Sequence, residues 1–311
     1  MFLMKIKKQK KEMKKFTIYV ASFVFAATMV SCGGEKATSL DEELGDPTLA
    51  INSKKQAKML DELIQSIPSP VEMNTVIKST GAPFNASIMH KTSDVSKYTI
   101  NYQQAFNVGV YTADMGYINV YDKTMYSLAC ISAVKKLSDA IQVGQFFDFE
   151  ALQRLSKNSN NVDSLQYISV NSFNKMDAYL RSQNRGELSV LIVAGAWLEG
   201  LHIATQTYAS KSNDELREKI GEQKIVLESL IKIVKMCDQI AYFKPIIVQF
   251  DKLNEAFSKV KIEYVQGEPV TKIVDGQMII EDSSTSKIIM DDKQLKEITD
   301  LTENVRKVLL K

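Results

Sequence analysis

Three polar residues stand inside otherwise apolar, helix-patterned stretches, and their types could do chemistry. Asp114 lies between Tyr111 and Tyr117. Glu199 and His202 follow Trp197 with the spacing Glu-x-x-His. Residues three apart share a helix face. Glu199 and His202 are therefore a candidate acid–base or metal-holding pair, and the phenol of Tyr111 or Tyr117 could approach the Asp114 carboxyl. Each residue has a plainer reading beside this one. A buried carboxylate costs several kcal/mol unless it is paired, and buried polar groups are normally satisfied by internal hydrogen bonds. A ligand-binding Asp114 and a structurally bonded Asp114 predict the same local sequence.

The rest of the chain limits what these residues could support. Ferritin-like di-iron bundles need Glu-x-x-His twice, with two further carboxylates. The only other histidine, His90, has no glutamate three residues before it, so no metal site is expected. The sequence holds no His-Glu-x-x-His, no Walker loop, no Gly-x-Gly-x-x-Gly and no Gly-x-Ser-x-Gly. With two histidines in all, there is little room for a nucleophilic triad. The expectation is a chain that is not an enzyme and holds no cofactor. The alternative is an envelope enzyme or metal/ligand-binding protein using Asp114, Glu199 and His202.

Helices must position these residues. Glycine and proline are scarce, with 13 and 6 in 311 residues, which favours helices over a sandwich or barrel. Ala57, Leu60, Leu63 and Ile64 mark a first helix face, ended by Ile67-Pro68-Ser69-Pro70. Helices are then predicted over 71–78, 98–121, 125–141, 149–155, 162–180 and 188–208. Ser212 and Glu215 fit a capping box opening a helix with the stripe Leu216, Ile220, Leu227, Leu230, Ile231 and Val234. Another helix starts at Pro245, and Leu295, Ile298, Leu301, Val305 and Val308 mark the last. The stretch 188–208 is nearly continuous in apolar residues up to Trp197 and reads as the central helix, with Gly195 and Gly200 letting a neighbour approach closely.

The pattern changes after residue 260. Segments 262–265, 270–274 and 277–280 are short and β-branched, and Asp275-Gly276 is a favoured type I′ hairpin pair. The predicted fold is mainly α: an antiparallel multi-helix bundle with a small β-hairpin, near 262–290, before the C-terminal helix. The hairpin could add a strand to a partner's sheet edge. Cys130 and Cys237 sit in apolar helical stretches and read as buried free thiols, although an export compartment would permit a disulfide.

The N-terminus carries the strongest single pattern. Seven lysines crowd residues 1–15 against one acid, Glu12, and residues 16–30 carry no charge. This is the layout of a secretory signal, and the apolar run falls short of the roughly 20 residues of a spanning helix. It ends in Met29-Val30-Ser31-Cys32-Gly33. That sequence resembles the lipobox of bacterial lipoproteins, with Met29 where leucine is usual. The resemblance implies a signal peptide over 1–31, removed by the lipoprotein signal peptidase, and a covalent lipid, a diacylglyceryl thioether plus an acyl chain such as palmitate, on Cys32. Several acyl chains on one residue hold a protein stably on a membrane.

Small, polar and acidic residues over 32–50 read as a flexible tether, and 51–311 as a single helical domain. Without the leader's seven lysines and one glutamate, the 39 basic and 37 acidic residues become 32 and 36. The mature chain is therefore slightly acidic, and a nucleic-acid partner is not expected.

Ile67-Pro68-Ser69-Pro70, residues 107–117 and Ala196-Trp197-Leu198-Glu199-Gly200 are similar to uncharacterised helical lipoproteins of Bacteroidota-type bacteria. That likeness implies a helical fold and an envelope location, and brings no activity. The absence of aspartate after Cys32 implies the outer membrane, with the domain on its periplasmic face or at the cell surface. Asp163-Ser164-Leu165 matches a short O-glycosylation pattern of those bacteria. The partners expected are the membrane, through the lipid, and an envelope protein or polymer.

Overall fold

The apolar runs form helices that end at the polar and glycine-bearing breaks between them. The structure is a computed structural model describing Lys58 and residues 70–155, 162–265, 267, 270–274, 277–281 and 285–311. All of these belong to one compact unit, Gly45–Lys311. The leader, Cys32, the tether over 32–50, the Asp275-Gly276 pair and the helix expected at 57–64, Lys58 apart, lie outside the described residues.

The helices are α1 (Pro70–Ser79), α2 (Asn101–Val120), α3 (Thr124–Ala140), α4 (Phe149–Leu155), α5 (Val162–Ser182), α6 (Gly186–Ser210), α7 (Asp214–Lys235), α8 (Phe243–Ser258) and α9 (Asp292–Leu309). Short 3-10 turns at Ala86–Ile88 and Thr92–Lys97 lie between α1 and α2. Three-residue connections join α2 to α3, α5 to α6 and α6 to α7. Asp122 and Asn184, in the first two, have φ of 56° and 55°. Aspartate and asparagine tolerate this left-handed region better than other side chains. Ser164 lies in α5, and the free thiols of Cys130 and Cys237 are both buried.

The fold is mainly α, with an antiparallel β-ribbon before the final helix. Strand β1 (Lys261–Val265) pairs with β4 (Thr285–Ile289), and β2 (Val270–Val274) with β3 (Gln277–Glu281). Val274 faces Gln277 in register, so the connection between β2 and β3 is Asp275-Gly276 alone. Four residues separate β1 from β2 and three separate β3 from β4. Strand β4 extends the ribbon past the three segments expected from sequence.

Helix α6 is the hub. It packs most extensively on α2, and also on α9, α7 and α5. Its length and apolar character would suit a membrane span, but here most of that surface is buried inside the body. Two glycines set its approach to α2. A Cβ on Gly195 would stand 2.0 Å from the Phe106 carbonyl oxygen, and one on Gly109 would stand 2.0 Å from that of Ile192. Gly200 has nothing within 4 Å of a built Cβ, so the close-approach role expected for it falls to Gly109.

The caps also differ from the sequence reading. Asn213, not Ser212, caps α7, and its side chain accepts from the Leu216 N–H. A full capping box occurs instead at Asp291 and Gln294, opening α9.

Candidate functional site

Asp114, Glu199 and His202 are brought into one buried network by α2, α6 and α9. Asp114 Oδ2 accepts the backbone N–H of His90 at 3.0 Å. This donor comes from the segment between the two 3-10 turns, not from the tyrosines beside Asp114 in sequence. The Tyr111 hydroxyl donates to the Lys91 carbonyl at 2.9 Å, and the Tyr117 hydroxyl accepts from the Asn85 N–H at 3.0 Å. The expected phenol–carboxyl contact is therefore replaced by bonds from each ring to the 85–91 backbone.

The second Asp114 oxygen, Oδ1, has no hydrogen-bond partner among the described residues. Burial, and then the nearby Glu199 charge, raise the Asp114 pKa well above the ordinary value, which favours its protonated form.

Glu199 is fully buried, and Arg306 of α9 holds both its oxygens. Arg306 Nε donates to Oε2 at 2.6 Å and Nη2 to Oε1 at 2.7 Å. Burial alone would lower the arginine's pKa, but Glu199 outweighs it and the net shift is upward. Glu199 and Arg306 therefore form a buried, two-point ion pair.

His202, one turn further along α6, points its Nε2 at the Ile88 carbonyl, 3.0 Å away. A carbonyl only accepts, so Nε2 carries the hydrogen. The other nitrogen, Nδ1, lies 3.1 Å from Glu303 Oε2 but off the hydrogen-bond direction. Burial, followed by Arg306, lowers the His202 pKa. Lys307 holds the other Glu303 oxygen at 2.8 Å.

A cleft of about 270 Å³ adjoins this network, lined in part by Met89, His90, Asp114, Ile118, Tyr126 and Cys130. Of the three candidate residues only Asp114 lines it; Glu199 and His202 lie away from the cleft. His90 Nε2 pairs with the Tyr98 hydroxyl at 2.6 Å, and burial lowers the ring's pKa to about 4 against the pull of Glu199. Cys130 Sγ donates to the Tyr111 carbonyl at 3.0 Å. Burial raises its pKa, which keeps it a thiol and a poor nucleophile. Among the described residues no group of three or more His, Cys, Asp or Glu side chains is placed to hold a metal ion.

Sequence reasoning missed Arg306, Glu303 and the pairing of His90 with Asp114. Arg306 carried a readable signal. It follows Thr302 by four residues on the face that also holds the buried Leu295 and Ile298, and a cation on such a face calls for a buried acid.

No family model, curated protein or solved structure matches the chain. The class defined by fold and site is a mainly α protein, built on a buried central helix whose Glu199 is paired internally with Arg306.

Proposed function

We propose that the chain is a lipid-anchored envelope protein whose helical body is a non-enzymatic binding or structural module. The address rests on the lysine-rich leader and the Met29–Cys32 pattern. The non-enzymatic reading rests on one observation: both oxygens of the buried Glu199 are occupied by Arg306. A carboxylate of the central helix with useful acid–base chemistry is therefore spent on fastening α9. A catalytic carboxylate needs at least one oxygen free for substrate or water.

Expression of the full chain and of Cys32→Ala, followed by membrane fractionation and mass analysis of the N-terminal peptide, tests the anchor. The expected result is a peptide beginning at Cys32 with acyl mass, and release of Cys32→Ala from the membrane. Equal membrane retention of Cys32→Ala would overturn this reading.

One observation favours the alternative of a ligand-binding or catalytic Asp114: it lines the cleft beside His90. In that case native mass spectrometry of purified protein would show a bound small molecule that Asp114→Asn loses. An unliganded mass for both proteins would sink it.

A further inference from the structure

We propose that the start of α3, with the turn before it, is a membrane-contact face that rests on an anionic phospholipid surface; this rests on the lipid-anchor reading above. Few large apolar side chains are exposed among the described residues, and three of them fall within four positions: Met125, Tyr126 and Leu128. Met125 is 82% exposed, and Leu128 lies one helical turn on. The Tyr126 ring lies tilted against that of Phe84, 5.2 Å between centroids, and the Phe84 ring also receives Lys123 Nζ at 5.8 Å. The ordering is apolar tips outermost, an amphipathic tyrosine at their side, and a lysine at the base. Interfacial segments use this arrangement, with apolar groups among the acyl chains and Tyr and Lys at headgroup level.

Charge agrees with this occupant. Lys123 lies two residues before Met125, over the Phe84 ring, and Lys91 lines the cleft that Tyr126 also lines. Lys78 pairs with Asp122 in the turn, which leaves a positive excess suited to phosphate-bearing lipids. A stable protein interface needs about 800 Å² from each partner. Three side chains at a helix start fall far short of that, whereas a second contact beside a lipid anchor needs little area, because the anchor supplies the local concentration.

The test uses full-length acylated protein in vesicles of phosphatidylethanolamine and phosphatidylglycerol. Met125→Cys and Leu128→Cys, and Lys296→Cys on exposed α9 as control, each carry an environment-sensitive fluorophore, with brominated lipid as quencher. Labels at 125 and 128 should shift to the blue and be quenched several-fold more than the label at 296. Equal, weak quenching at all three positions overturns the contact face. So does a blue shift without vesicles. If that shift depends on protein concentration, a second copy covers the face; if it does not, the chain's own residues do. The Cys32 peptide is weighed in the same samples. Acylation without quenching sinks this inference alone, and missing acylation sinks the anchor reading, whatever the labels report.

Discussion

Gly109 and Gly195 meet the opposing helix in the same way: each stands where a Cβ would come 2.0 Å from the carbonyl oxygen three residues before the other glycine, Ile192 and Phe106. Backbone cannot move aside as a flexible side chain can. Gly195→Ala or Gly109→Ala should therefore push α2 and α6 apart and cost at least about 1–3 kcal/mol, the usual penalty for overpacking. Gly200→Ala on the same helix meets nothing and should stabilise by about 0.5–1 kcal/mol, the difference in helix propensity. Denaturant unfolding of the three variants checks the contrast.

Arg306→Met should cost about 3–5 kcal/mol, because it leaves Glu199 buried without its counter-ion. Adding Glu199→Gln should recover part of the loss, so the double variant should be more stable than the sum of the singles predicts. Strict additivity in a double-mutant cycle would show that the two groups do not act as a pair.

Asp114 gives a pH dependence with a definite sign. Its folded pKa is raised, chiefly by burial. The stability linked to its proton is thus fully present below the ordinary carboxyl value and declines as pH rises towards the folded value. Asp114→Asn keeps an acceptor for the His90 N–H and does not titrate. Its stability relative to the parent should rise as pH climbs from the ordinary carboxyl value towards neutrality. A constant difference across that range would mean that Asp114 does not hold a proton.

His90 acts in the opposite direction. Its pKa is lowered from 6.5 to about 4 by burial, so the unfolded chain takes up a proton first and stability falls as pH drops through that window. The full effect is at most about 3 kcal/mol. His90→Gln should flatten the stability profile between those two values. The same slope in both proteins would assign the effect to other groups, His202 first among them, since its pKa is also lowered by burial.

The helices were legible because their signals are local. Apolar spacing fixed 149–155 as written, and the other described helices shifted by a few residues at their ends. Caps were less legible: Ser212 with Glu215 and Asn213 with Leu216 are one residue apart in frame, and only backbone geometry chooses between them. Strand β4 escaped notice because Thr285-Ser286-Lys287 is polar, and its pairing depends on a partner 20 or more residues earlier. The site was half legible. Asp114, Glu199 and His202 were marked by polarity in apolar surroundings. Their partners come from distant chain: His90 lies 24 residues before Asp114 and Arg306 lies 107 after Glu199. The Tyr111 and Tyr117 expectation failed because helix spacing places side chains near one another without showing which backbone passes closer.

The Arg306–Glu199 pair also bears on the order in which the molecule can be completed. A chain is made from its N-terminus, so Glu199 of the central helix emerges 107 residues ahead of the cation that neutralises it. Until α9 arrives, Glu199 has no counter-ion, and an apolar helix with an unpaired acid cannot settle in a dry interior at low cost. The last helix thus acts as a checkpoint on assembly. Chains cut short before Arg306 should remain open at the centre and be cut by added protease faster than finished chains.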